Sequence, residues 1–176
     1  LPSTTKRVPP DPALLLEDDD DDGLPAATCH PGDKPTRRYS REIALRALYA
    51  RELKGDSAGD LLTDTLVNAG QPTPDYAVRL IELVAAHQVQ VDDWIRSRVE
   101  KWEFHRIALL DRLILRLAIT EMLFVPDVPL KVALDEAIEL TKFYSTDQSG
   151  RFVNGILDTL SKEAREGRLI TSGGAA

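Results

Sequence analysis

Arg37, Arg38 and Arg41 crowd into one short stretch, with Tyr39 among them and Tyr49 about two helical turns beyond Arg41. Guanidinium groups bind phosphates bidentately and aromatic faces stack on unpaired bases, so this mixture suits single-stranded RNA. The same arginines also read as ordinary charges at the start of a helix. Against that, cations at a helix amino end oppose the macrodipole, and Glu42 is the only acid close by. A second candidate is the stretch 145–151. Ser149 there is placed to cap a helix, Gln148 precedes it and Arg151 adds a guanidinium, which together make either a phosphate cradle or a plain capped turn. A third group, Asp111, Arg112, Arg116 and Glu121, lies along one helix opposite or beside its apolar stripe. It serves an internal ion-pair network or a surface for a protein partner.

Other chemistry is poorly supplied. His30, His87 and His105 are far apart, the single cysteine is Cys29, and no H-x-x-x-H or C-x-x-C spacing occurs, so no metal site is expected. Neither G-x-x-x-x-G-K-[ST], G-x-G-x-x-G nor G-x-S-x-G is present, so neither a cofactor nor an enzyme is expected. Asp135, Glu136 and Glu139 read as a solvated helix face. One cysteine cannot form an intramolecular disulfide, which fits a reducing cytoplasm. No apolar run has the length of a membrane span or the layout of a secretory signal, so no membrane association is expected. The chain opens on Leu1 rather than Met, so its start here need not be the natural one.

These residues need elements to hold them. Residues 1–36 carry seven of the eleven prolines, three basic and eight acidic residues, and few large apolar groups. Too little burial is available there to offset an ordering cost of ~1–2 kcal/mol per residue, so 1–36 is expected to be a disordered tail. The formal charge of −7 therefore describes the tail more than the body, which keeps only −2. The acidic run Glu17–Asp22 is a solvated extension, or else a tethered competitor that shields the arginines from non-specific RNA. From residue 40 onward the apolar period is helical throughout. Ser40 reads as the N-cap of a first helix running to about Lys54, apolar nearly all round and so central to the fold. A short second helix falls over 58–69, a third over 75–101, a fourth from about His105 to Phe124, a fifth over Leu130–Tyr144, and a sixth from about Ser149 to Lys162. No segment alternates as a strand does. The expected fold is all-α, a bundle over 37–163 with a flexible tail at 164–176. Gly155 and Phe152 read as packing residues, the glycine allowing close helix approach, so that a large side chain at 155 would overpack the crossing. Asn154 reads as satisfying a backbone group there.

Three stretches taken in order resemble the NusB family of transcription antitermination factors. They are Thr36–Tyr49, the run Asp111–Ala118 continued by Glu121, Asp127–Pro129 and Ala133–Lys142, and Ser149–Asp158, and together they span nearly all of 36–163. The resemblance implies a helical fold of two three-helix halves and a non-enzymatic role. It implies that the chain binds boxA-like single-stranded RNA of ribosomal RNA operon leaders, together with the small ribosomal protein NusE, in an antitermination complex with RNA polymerase. Under it, Arg37, Arg38, Arg41, Tyr49, Gln148, Ser149 and Arg151 become RNA-contact candidates. Asp111, Arg112, Arg116 and Glu121 become candidates for the NusE surface. It also leaves room for a homodimer. The family commonly has an acid where Gln148 stands, and its absence removes a repulsion from RNA. One alternative is the RNA-docking module of a cytosine RNA methyltransferase, which would require a catalytic domain that these residues do not contain.

Overall fold

The computed structural model describes residues 34–54, 74–99 and 104–169. It contains α1 (Arg37–Lys54), α2 (Asp75–Arg96), α3 (Leu109–Phe124), α4 (Leu130–Tyr144) and α5 (Asp147–Arg165), with one 3-10 turn at Phe104–Arg106. No strand occurs among the described residues. The helix expected over 58–69, the acidic run and the last residues of the carboxyl tail lie outside them.

Helix α1 begins earlier than expected because Thr36, not Ser40, caps it. The Thr36 Oγ1 accepts the Tyr39 N–H at 3.1 Å, and its carbonyl accepts both the N–H and the O–H of Ser40. The helix is central, as its all-round apolarity required: Ile43, Ala44, Leu45, Ala47 and Leu48 are all buried. Helix α3 is equally central. Beyond its expected stripe, Leu113, Leu115 and Ile119 are also fully buried, because α3 packs against α1, α2, α4 and α5 at once. Helices α3, α4 and α5 form one mutually packed three-helix half, and α1 and α2 pack on each other and on α3.

Helix α2 buries Ala77, Leu80, Ile81, Val84, Val91 and Ile95 as its period demands. It stops at Arg96, short of the expected 101, where Ser97 caps it. Helix α4 has the expected bounds, opened by Pro129, whose φ of −60° suits the position before a helix. Helix α5 starts at Asp147 because Thr146 rather than Ser149 is its cap, accepting the Ser149 N–H at 3.2 Å. It runs past the expected end and closes on Gly167, whose φ of +66° lets its own N–H reach the Ala164 carbonyl and the Arg168 N–H reach that of Glu163. Gly155 corrects an expectation. It is exposed, and a Cβ there would meet nothing within 4 Å, so no helix crossing among the described residues depends on it. Asn154 is exposed beside it, while Val153 is buried and Phe152 packs against the core edge.

Candidate nucleic-acid interface

Two of the three candidate arginines at the head of α1 are on the surface. Arg37 and Arg38 have side chains 47% and 57% exposed, and each is tied to an acid far away in sequence. Arg37 donates to Asp127 in the loop between α3 and α4. Arg38 makes a two-pronged pair with Glu136 on α4, at 3.1 Å through Nε and 2.9 Å through Nη2. Donation from Arg37 holds the Asp127 carboxyl below the usual carboxylate range. Arg79 on α2 approaches the same carboxylate, with Nη1 3.8 Å from Oδ1.

Arg41 does not join them. It is only 4% exposed, and its Nε–H is shared between both oxygens of Glu121 at 2.9 and 2.8 Å. Its Nη1 lies 3.6 Å from Glu136, and Nη2 is buried without a hydrogen-bond partner. A guanidinium so enclosed cannot reach a phosphate outside. It lies on the same side of α1 as Arg37 and Arg38 but one turn further in, where Glu121 of α3 and Glu136 of α4 enclose it. Tyr49 is also 4% exposed and Tyr39 is buried, so neither presents a ring face to a base. The aromatic group that accompanies the arginines is Tyr76 of α2. Its ring lies 5.0 Å from the Arg37 guanidinium and 6.0 Å from that of Arg41. Its hydroxyl donates to Glu121. Burial, and then this bond to a carboxylate, push the Tyr76 hydroxyl well above the usual tyrosine range.

At the start of α5, Gln148 and Arg151 are exposed and Ser149 is half-buried. The Thr146 hydroxyl donates to the Ser149 Oγ at 3.1 Å, so the serine is held by the cap rather than forming it. Ser145 donates to Asp111 of α3 at 2.6 Å, which fastens this turn to the core.

The charged residues of α3 form an internal network. Arg116 is buried and grips Asp92 of α2 with both prongs, at 2.7 and 2.8 Å, and reaches Glu52 of α1 at 3.1 Å. Glu121 is taken by Arg41 and Tyr76, and Asp111 by Ser145. Arg112 lies with its guanidinium 5.5 Å from the Phe104 ring, its Nε buried without a hydrogen-bond partner. Enclosed in this way, Asp111, Arg116 and Glu121 offer no outward surface to a protein partner, which corrects that expectation. Glu136 departs from a purely solvated reading too, since it is only 18% exposed and serves both Arg38 and Arg41.

A third internal cluster escaped the sequence altogether. Glu42 accepts from the Tyr144 hydroxyl at 2.7 Å and from Arg46 at 2.6 Å, and Arg46 also donates to the tyrosine oxygen. Tyr76, Arg79, Asp127, Glu136 and Tyr144 were invisible as site residues because the groups they pair with are distant in sequence; Asp127 entered only as part of a family-like stretch. Among the described residues, no group of three His, Cys, Asp or Glu side chains is arranged to hold a metal ion.

Comparison with known proteins places this geometry. The NusB family model matches residues 38–162 of the 176. The transcription antitermination protein NusB of Chloroherpeton thalassium is 36% identical over 142 residues, spanning 79% of this chain and 67% of that protein. That of Acidothermus cellulolyticus is 42% identical over 123 residues, spanning 70% of this chain and 85% of its own length. Among solved structures, T. maritima NusB superimposes with a TM-score of 0.69 at 37% identity, covering 74% of this chain and 94% of that one. The antitermination factor NusB solved with NusE and dsRNA aligns with a TM-score of 0.60 at 24% identity over 72% of this chain and 96% of that one, and supports the fold alone. With its helical body matched from the second of the clustered arginines to the last turn of α5, the chain belongs to the NusB family.

Proposed function

We propose that this chain is the RNA-binding component of a transcription antitermination assembly. With a small ribosomal protein of the NusE type it takes up boxA-like single-stranded RNA from ribosomal RNA operon leaders and helps RNA polymerase read through terminators. It works by binding rather than by catalysis, in the cytoplasm where transcription and ribosome assembly meet. No described helix is long and apolar enough to cross a membrane.

The observation that carries this reading is the match of the whole helical body to proteins named transcription antitermination protein NusB. The partners named here are those of a protein of the same fold, the NusB solved with NusE and dsRNA. On this chain the RNA contacts are Arg37 and Arg38 at the head of α1, extended by Gln148, Ser149 and Arg151 at the head of α5. Solvent-exposed ion pairs such as Arg37–Asp127 add little to stability, so a phosphate can replace the carboxylate at little cost. Arg41 and Tyr49 act indirectly, by fixing α1.

The test is a fluorescence titration of labelled boxA-like RNA with the full chain, with and without NusE, against a scrambled RNA of equal length. The reading expects preference for the boxA-like sequence, tighter binding with NusE, and affinity that falls as salt rises. Equal affinity for both RNAs in every condition would overturn it. Sedimentation of the same samples reads whether the chain also pairs with itself.

A further inference from the structure

Asp127 occupies an unusual position for a surface acid. Guanidinium groups from two different helices converge on it, Arg37 from α1 and Arg79 from α2, and all three side chains are about half exposed. The carboxylate comes from the short turn between α3 and α4, and Pro126 and Pro129 stiffen the backbone on either side of it. Tyr76 backs the Arg37 guanidinium from below at 5.0 Å. Glu136, by contrast, is mostly buried, accepts from Arg38 and pairs with the enclosed Arg41 at 3.6 Å, so it is anchored by a charge that cannot leave. Among the described residues, both ion-pair partners of Asp127 are about half exposed. The result is two guanidinium groups gathered beside one small oxyanion on an open surface, an arrangement into which a backbone phosphate fits.

We propose that Asp127 is a built-in stand-in for an RNA phosphate, seated between Arg37 and Arg79, and that RNA binding displaces it and recruits Arg79 as a phosphate contact. This rests on the RNA-binding reading above and deepens it. The carboxylate keeps the two guanidinium groups gathered when no RNA is present. It also competes with any phosphate that arrives, so weakly held RNA is penalised more than RNA fixed by further contacts. No bond is made or broken; one anion exchanges for another.

The experiment measures binding of a boxA-like single-stranded RNA by the full chain across a salt series, for wild type, Asp127→Asn, Arg79→Gln and the double variant, with NusE present throughout. Asp127→Asn is expected to tighten binding about twofold to fivefold at low salt, the scale of an exposed ion pair. Arg79→Gln is expected to weaken it and to reduce the log–log salt slope by about 0.7, the contribution of one single-strand phosphate. In the Arg79→Gln background, the gain from Asp127→Asn should shrink, because half of the cradle is gone. Asp127→Ser repeats the charge loss with a different side chain, and thermal melting of every variant confirms that each is folded. If wild type binds RNA with the expected salt dependence and the folded variants match it, the stand-in is overturned while the RNA-binding reading survives. If none of the proteins binds, both fall. If only the Asp127 variants bind, the competition is supported in its strongest form.

Discussion

Arg38 and Arg41 are separated by less than one turn of the same helix, yet they belong to different kinds of structure. The Arg37 and Arg38 guanidinium groups reach solvent, at 47% and 57% exposure, whereas Arg41 and Arg116 meet their acids with side chains no more than 6% exposed. The chemical pairing is the same in both regions, and the surroundings decide its value. A solvated pair contributes little and can be exchanged. A buried pair contributes little net stability over an apolar filling, but it cannot lose one member without stranding the other. The first arrangement suits recognition and the second suits a framework.

The most severe way to probe this difference is to remove one member of a buried pair. Arg116→Ala leaves Asp92 buried without its fork, and about 3–5 kcal/mol of folding stability should be lost, read from urea denaturation. Glu121→Gln should act in the same direction by stranding Arg41, and Arg41→Ala should likewise lower the melting temperature. A loss under 1 kcal/mol for all three would mean that the interior is wetter than its burial indicates.

The exposed pair should fail differently. Replacing Arg37 and Arg38 together by Ala should leave stability within about 1 kcal/mol of wild type. The log–log salt slope for RNA should fall by roughly 1.4, for two phosphates. An Arg41→Ala protein studied below its melting point should keep its slope. If it instead loses as much slope as the double variant, the division drawn here between Arg38 and Arg41 is wrong.

Alkaline pH separates the regions more gently. Burial, and then the Glu42 charge, raise the Tyr144 hydroxyl above its ordinary value, and Tyr76 is raised as well. A raised folded value means that the fold favours the protonated phenol. That stability is fully present below the unfolded pKa of about 10 and declines as pH climbs toward the folded value, at no more than about 1.4 kcal/mol per pH unit per tyrosine. Denaturation midpoints should hold steady to about pH 9.5 and then drop. Tyr144→Phe should flatten the drop, since the exposed pairs contribute nothing to it.

The smallest expected effect is a gain. Gly155 sits mid-helix on the exposed face of α5 with open space where a Cβ would go, so Gly155→Ala should stabilise the chain by up to about 1 kcal/mol in the same assay. Destabilisation would show that this face is more crowded than it looks.

How much of this was readable from the chain alone depends on the range of the interaction. The bounds of α4 and the inward stripe of α2 are local periodicity and were legible. The caps at Thr36 and Thr146 were missed because Ser40 and Ser149 offered equally good capping side chains a few residues on, and side-chain type alone does not choose among them. Gly155 was misread because a mid-helix glycine suggests a close crossing only if another helix is there. The arginine cluster was legible as chemistry but not as geometry. Nothing near Arg41 reveals that Glu121, 80 residues away, turns it inward, and nothing near Arg37 names Tyr76 or Arg79 as its neighbours.

The long-range pairs also set how the chain comes apart. Arg41 to Glu121 joins α1 to α3 across 80 residues, and Tyr144 to Glu42 joins α4 back to α1 across 102. If α1 peeled away alone, the Glu121 carboxylate, the Arg116 guanidinium and the Tyr144 phenol would each lose a partner at once. Partly unfolded states are therefore penalised by charge as well as by exposed leucines. The amide hydrogens of α1 should exchange with deuterium about as slowly as those of α3, and the amino-terminal helix and the carboxyl-terminal half should open in a single event.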